Sequence, residues 1–437
     1  MRRPWTIPDC TGLRVRIICG KENFTGSPEL SAMNPNPPPP SGDPLAGALP
    51  EVRNFSLVLG GPLYQLFRRA HLDDDVISHV RQRILVICGI IWLPLLLLCA
   101  INGTLLGGIA VPFLHDVETH ARFLLAVPLM IFAELLVHQR MRDIVMQFLE
   151  RKLVPEASME RFRKTVVSAM AWRNSIPAEL VIIVIVFPLG YYVRTRVFAL
   201  ETSTWYATAG SDGAALTLPG LWFSWVSNPI LQFLLLRWIY RIVIWARFLW
   251  QVSRIDLDLI PTHSDRNAGL GFLGGSAHAF SPLLASFSAM SAGMVASRIF
   301  HEGASLADFK LEIVFLVALG IVLVLGPLTV FAPRILAAKR RGLREYGAFA
   351  ADYMREFDRR WLRRPDHDHV SLLGTGDIQS LADLGNAFSV IREMKAVPFN
   401  RDMLLQLVWA TLAPFFPLVF TMIPLEELLD RMIKAVF

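Results

Sequence analysis

Residues 260–275 read Ile-Pro-Thr-His-Ser-Asp-Arg-Asn-Ala-Gly-Leu-Gly-Phe-Leu-Gly-Gly, a short run dense in reactive and permissive residues within an otherwise apolar chain. His263 and Asp265 form its one acid–base pair, and Arg266 adds a guanidinium. Gly269 and Gly271 let successive backbone N–H groups face one ligand, and the helix expected to follow turns its positive end the same way. That chemistry suits an anion. The competing reading is structural: Pro261 stops one helix, Asp265 or Ser264 caps the next, and the glycines allow close packing. Gly269, Gly271 and Gly274 match G-x-G-x-x-G in form, but no strand precedes them and no βαβ unit surrounds them, so a dinucleotide is not expected.

A second group of ionisable residues lies at the ends of apolar blocks, where a charge in hydrocarbon is costly and usually faces a cavity or a partner. Glu134, His138, Glu179, Arg237 and Arg241 fall at one depth. Glu134, His138 and Glu179 are read as the lining of an inward-facing vestibule, with Arg237 and Arg241 sharing an anion or solute site with His263, Asp265, Arg266, Gly269 and Gly271. The alternative is a set of interfacial anchors, with Trp238, Trp245 and Trp250 as the aromatic belt of that level. No catalytic residue, cofactor or metal ligand is assigned. G-x-S-x-G, H-E-x-x-H, C-x-x-C and P-loop patterns are missing, and Asp366, His367, Asp368 and His369 need further ligands to hold an ion.

The elements that must position these groups follow from bulk composition. Only 18% of the 437 residues are charged, 53% are hydrophobic and the mean hydropathy is +0.44, which excludes an ordinary soluble domain. The apolar residues fall in blocks of about 20, the length that crosses a ~30 Å hydrocarbon layer. The fold class expected is all-α: a polytopic helical membrane protein with about seven transmembrane helices and cytoplasmic helical extensions. The spans are placed at Ile84–Leu106, Ala121–Val137, Ile176–Phe198, Pro219–Leu236, Phe280–Phe300, Leu311–Ala332 and Met403–Ile423. Pro414 and Pro417 interrupt the last, so six spans plus a re-entrant segment is the fallback. With the amino terminus cytoplasmic, 30 Lys and Arg fall in the cytoplasmic connections and seven on the other side, which fixes the expected orientation.

The organisation expected is a proline-rich disordered leader over residues 1–54 with Met33 as an alternative start, then an amphipathic interfacial segment at 55–83. A membrane domain follows at 84–332, with a cytoplasmic helical loop at 139–175. A cytoplasmic helical region occupies 333–402, and a seventh span and tail occupy 403–437. Span five is rich in serine (Ser281, Ser286, Ser288, Ser291, Ser297), read as tight packing ahead of a pore lining. Four cysteines imply no disulfide framework, and the net charge of +6 is accounted for by loops facing anionic lipid headgroups, without nucleic acid.

Residues 261–273, with Gly-Gly-Pro-Leu-Tyr-Gln-Leu-Phe-Arg-Arg-Ala-His-Leu at 60–72 and Asp-Ile-Gln-Ser-Leu-Ala-Asp-Leu-Gly-Asn-Ala-Phe at 377–388, resemble an uncharacterised family of bacterial inner-membrane proteins over about residues 54–437. Its loop reads Pro-Thr-His-Pro-Asp-Arg-x-Gly-Gly-Leu-Gly-Phe-Leu, and this chain departs from it with Ser264 and Ala268. The resemblance implies a multi-pass bacterial inner-membrane protein and no particular activity. Three function classes remain: a channel or transporter for a small anionic solute, ranked first; a membrane scaffold or sensor using its cytoplasmic helices; and a membrane-embedded enzyme acting on lipid headgroups. The partners expected are the lipid bilayer, a small anion and further copies of the chain as a homo-oligomer.

Overall fold

A computed structural model of the chain describes residues 50–58, 60, 76–196, 204–210, 213–363 and 376–422, all within the unit spanning 47–437. Among these residues seven helices are long and apolar enough to cross a membrane, and the only strands are a two-stranded hairpin. The protein is a multi-pass, all-α integral membrane protein. Helix α1 is Val76–Ile101, α2 is Val117–Glu150, α3 is Glu156–Arg173 and α4 is Ile176–Arg196. After the hairpin β1 (Ala207–Gly210) and β2 (Gly213–Leu216) come α5 (Leu218–Ser253) and α6 (Gly275–Glu302). A helical run from Leu306 to Leu362 contains α7 (Lys310–Leu325) and α8 (Ala332–Phe357), joined by 3-10 turns at Gly326–Phe331. Helices α9 (Asp377–Arg392) and α10 (Arg401–Leu412) complete it, and 3-10 and α turns over the prolines extend the last span to Met422.

Two helices are far longer than a bilayer. The 34 residues of α2 and the 36 of α5 run for ~50 Å at 1.5 Å per residue, against ~30 Å of hydrocarbon. Their surplus, with α3 packed alongside α5, builds a layer beneath the spans whose core is aromatic: Phe148 meets Phe162 at 5.7 Å and Phe272 at 5.0 Å, and Phe248 meets Phe55 at 5.3 Å. In the spans themselves the side chains turned outward are apolar, as Leu97, Val184, Phe315 and Val322 are. No water competes there for helix hydrogen bonds, so Pro94, Pro188 and Pro282 are accommodated inside helices. The hydroxyls of Ser276, Ser281, Ser286 and Ser288 on α6 donate to backbone carbonyls, and a Cβ on Gly293 would lie 2.6 Å from that of Ala121. That is close helix packing.

Several boundaries differ from expectation. Helix α1 ends at Ile101 instead of Leu106, because Gly103 turns left-handed (φ 70°) and Thr104 N–H returns to the Cys99 carbonyl. Residues 50–53 make one helical turn with Val52 buried, where the leader was expected to be disordered. Residues 55–58 are irregular chain and bends instead of helix, with Phe55, Leu57 and Val58 buried. The rest of the leader and the interfacial stretch at 61–72 lie outside the described residues, as do residues 366–369. The 139–175 region is the continuation of α2 followed by α3, meeting through Lys152 at φ 53°. The hairpin β1–β2 was not foreseen, although Asp212-Gly213 is a turn signal. Beside it Trp205 donates through Nε1 to Asp116 (2.8 Å), which also accepts from the backbone and hydroxyl of Thr119.

Candidate functional site

The expected site residues fall into two clusters. None of the loop residues His263, Asp265, Arg266, Gly269 or Gly271 lines the crevice that holds Glu179, Arg237 and Arg241.

In the loop, the anion expected from outside is supplied by the chain itself. The Asp265 carboxylate accepts N–H donors from Asn267 (2.8 Å), Gly269 (3.1 Å) and Gly271 (2.8 Å), with His263 Nδ1 at 3.0 Å. Burial pushes this carboxyl up, and the three backbone donors together with His263 outweigh it, holding it below the ordinary aspartate value. A side chain on Gly271 would meet Asp265 at 3.0 Å. Arg266 and Ala268 adopt left-handed backbone (φ 56° and 57°), followed by Gly269 at 93°. The guanidinium of Arg266 points away from the crevice to Glu393 at 3.0 Å, and its carbonyl accepts the Lys395 N–H. Arg151 braces the loop from the end of α2, donating to the Gly269 carbonyl and lying over the Phe272 ring. Pro261 seats against Gly342 of α8. The loop is a junction of elements whose own donors and carboxylate satisfy one another.

The second cluster lies where α1, α2, α4 and α5 come together below the apolar blocks. Its centre is Glu134 of α2, which accepts Arg241 Nη1 at 2.7 Å and Arg83 Nη2 at 2.6 Å. Helical spacing puts Arg237 one turn before Arg241 on the same face of α5. Arg237, Arg241 and Glu134 keep 7%, 3% and 4% of their surface exposed, so three charges are held out of water. Beside them opens a crevice lined by Val58, Arg173, Glu179, Arg237, Tyr240 and Arg241. Trp238 offers its ring to the Arg241 guanidinium at 4.9 Å, and Tyr240 donates to the Trp172 carbonyl. His138 turns elsewhere: its Nδ1 lies 2.9 Å from Ser56 Oγ.

Among the described residues the buried Arg241 Nη2 has no hydrogen-bond partner, while Glu134 and Glu179 both act electrostatically on the Arg237 guanidinium. A buried donor left without an acceptor is costly, so Arg241 Nη2 calls for a further acceptor at this crevice. Sequence reading found Glu134, Glu179, Arg237 and Arg241. It counted Arg83 and Arg173 only as flanking positive charges and passed over Tyr240, because their roles depend on which helices become neighbours.

No group of three or more His, Cys, Asp or Glu among the described residues is arranged to hold a metal ion. No family model matches the chain, and neither a curated protein nor a solved structure is similar to it.

Proposed function

We propose that the chain is a multi-pass protein of the bacterial inner membrane, its amino terminus cytoplasmic, that receives a small anionic solute at the Arg237 crevice and carries it across the bilayer. The observation that supports this reading most is the buried Arg241 Nη2, which has no hydrogen-bond partner among the described residues and lies beside the buried Arg237 in the crevice lining. The orientation rests on the excess of Lys and Arg in the segments on the crevice side, and the bacterial source on the resemblance of the 261–273 loop. The test is flux. Purified protein in liposomes should pass anions at a rate that Arg237→Gln reduces at least tenfold while the variant inserts normally. Wild-type liposomes no more permeable than empty ones would remove transport from the reading.

One observation favours a scaffold role instead. The α8–α9 hairpin carries Phe349, Met354, Leu362 and Ile378 in exposed positions. Copurification of a partner that Phe349→Asp and Met354→Asp release, in a protein with no flux, would favour it.

A further inference from the structure

At the other end of α2, ~21 Å from Glu134 at 1.5 Å per residue, the first helical turn is tied to α1 by a hydrogen bond between aromatic side chains. The Trp92 indole Nε1 donates to His120 Nδ1 at 3.1 Å. An indole N–H can only donate, so Nδ1 must present its lone pair, and the imidazole is neutral with its proton on Nε2. Phe113 packs T-shaped with this imidazole and with Trp205, each at 5.1 Å, and Trp205 meets Phe223 of α5 at 5.4 Å. An aromatic row thus joins the pair to α5.

Directly after His120, residues Ala121–Ala126 leave α-helical geometry for a π-helical segment with wider i→i+5 hydrogen bonds. Side chains of two other helices meet its carbonyls, Cys88 Sγ of α1 at Phe123 (3.4 Å) and Ser286 Oγ of α6 at Ala126 (2.9 Å). A second π-helical segment, Phe223–Ser227 of α5, packs on the first through Phe223 and Phe123 at 6.0 Å. Such segments are bending points of a helix.

Histidine is the side chain whose charge changes between about pH 5 and 8. A proton added at Nδ1 turns this acceptor into a donor and sets two N–H groups face to face. We infer that His120 is a proton-operated latch: neutral, it holds Trp92 and closes α1 onto α2; protonated, it releases the indole and lets α2 bend at Ala121–Ala126. The latch is independent of the anion reading. The chain about His120 supplies the ionisable groups His115, Asp116, Glu118 and Arg122, and α6 supplies Arg298, which acts on Glu118 together with Arg122. The hairpin side adds Tyr206. Between Ile84 and Ile101, α1 offers only the thiols Cys88 and Cys99, and α5 has no ionisable residue from Leu218 to Leu236.

The test uses the full chain, labelled at its tryptophan nitrogens and purified in detergent. The Trp92 indole N–H signal, assigned by its loss in Trp92→Phe, is followed by NMR from about pH 8 to about pH 5. It should shift in one step, and its protection from exchange, relative to free indole at the same pH, should fall at least tenfold. His120→Gln, whose amide oxygen accepts the same N–H and does not titrate, should hold the signal fixed throughout. The same shift persisting in His120→Gln would assign it to Asp116 or Glu118 and overturn the latch. Where that variant fails to fold, the wild-type imidazole decides: the carbon shift of His120 must share the midpoint of the indole step, and a different midpoint overturns the latch. If no indole signal of the wild-type protein moves over this range, the inference fails without any variant.

Discussion

Arg241 Nη1 and Glu134 Oε1 meet at 2.7 Å with both side chains almost fully buried, and the other oxygen of the same carboxylate holds Arg83. One residue of α2 therefore ties α1 to α5. Glu134→Gln leaves two guanidinium groups without their countercharge, a change that costs about 3–5 kcal/mol where a buried pair is broken. The expected result is a clear fall in melting temperature in detergent, partly recovered by adding Arg241→Met. An unchanged melting temperature in Glu134→Gln would show that the pair carries no structural weight.

Asp265 makes the loop pH-sensitive in a defined direction. Its carboxyl lies below the ordinary aspartate value in the folded loop. The stability it contributes is therefore complete above the ordinary value, about 3.9, and is lost as pH falls through the lower folded one. Amide hydrogen exchange at Asn267, Gly269 and Gly271, corrected for intrinsic rate, should accelerate in that acid range. Asp265→Asn should exchange fast at every pH, losing about 1.5–3 kcal/mol per charge-assisted bond weakened. Equal protection in both proteins at neutral pH would contradict the assigned hydrogen bonds.

Gly220 and Gly89 make a matched pair of tests. A Cβ on Gly220 would collide with the Tyr206 carbonyl oxygen, a backbone atom that cannot swing aside, whereas one on Gly89 meets nothing within 4 Å. Gly220→Ala should displace the hairpin from α5 and lower the melting temperature by several degrees. Gly89→Ala should be neutral or stabilising by up to ~1 kcal/mol through helix propensity. Trp205 fluorescence reads the first change directly, since its indole is held by Asp116 close by.

Orientation has its own test. A reporter fused after Arg364 should report the cytoplasm and one inserted at Ala209 the opposite side. Reversal at both positions would undo the charge-based orientation and place the Arg237 crevice outside.

The spans were legible because an apolar block of bilayer length has one cheap conformation, and α2, α5 and α6 begin or end within a few residues of polar or helix-breaking signals. The carboxylate and guanidinium groups at the block ends were legible for the related reason that charge is rare in such segments. Their grouping was not. Arg237 and Arg266 looked equivalent in the sequence, yet one faces a buried crevice and the other reaches Glu393, more than 100 residues later. The glycine loop offered two readings, an anion cradle and a helix junction capped by Asp265 or Ser264, because spacing reveals its donors and not what fills them. That Asp265 turns back to fill it depends on left-handed backbone at Arg266 and Ala268, which neither residue type announces.

The junction at residues 261–275 also sets an order of events during synthesis. Its outer wall is made by Glu393 and Lys395 on Arg266 and by Pro398 and Met403 against Gly274. At ~10 residues per second the ribosome delivers those partners on the order of ten seconds after the loop itself. Through that interval α6 is already made, and its leading end stays unclasped. Completion of the last span thus closes a seam in the middle of the chain, so a polypeptide cut short after α8 keeps six inserted helices while leaving this seam open to proteases on that face of the membrane.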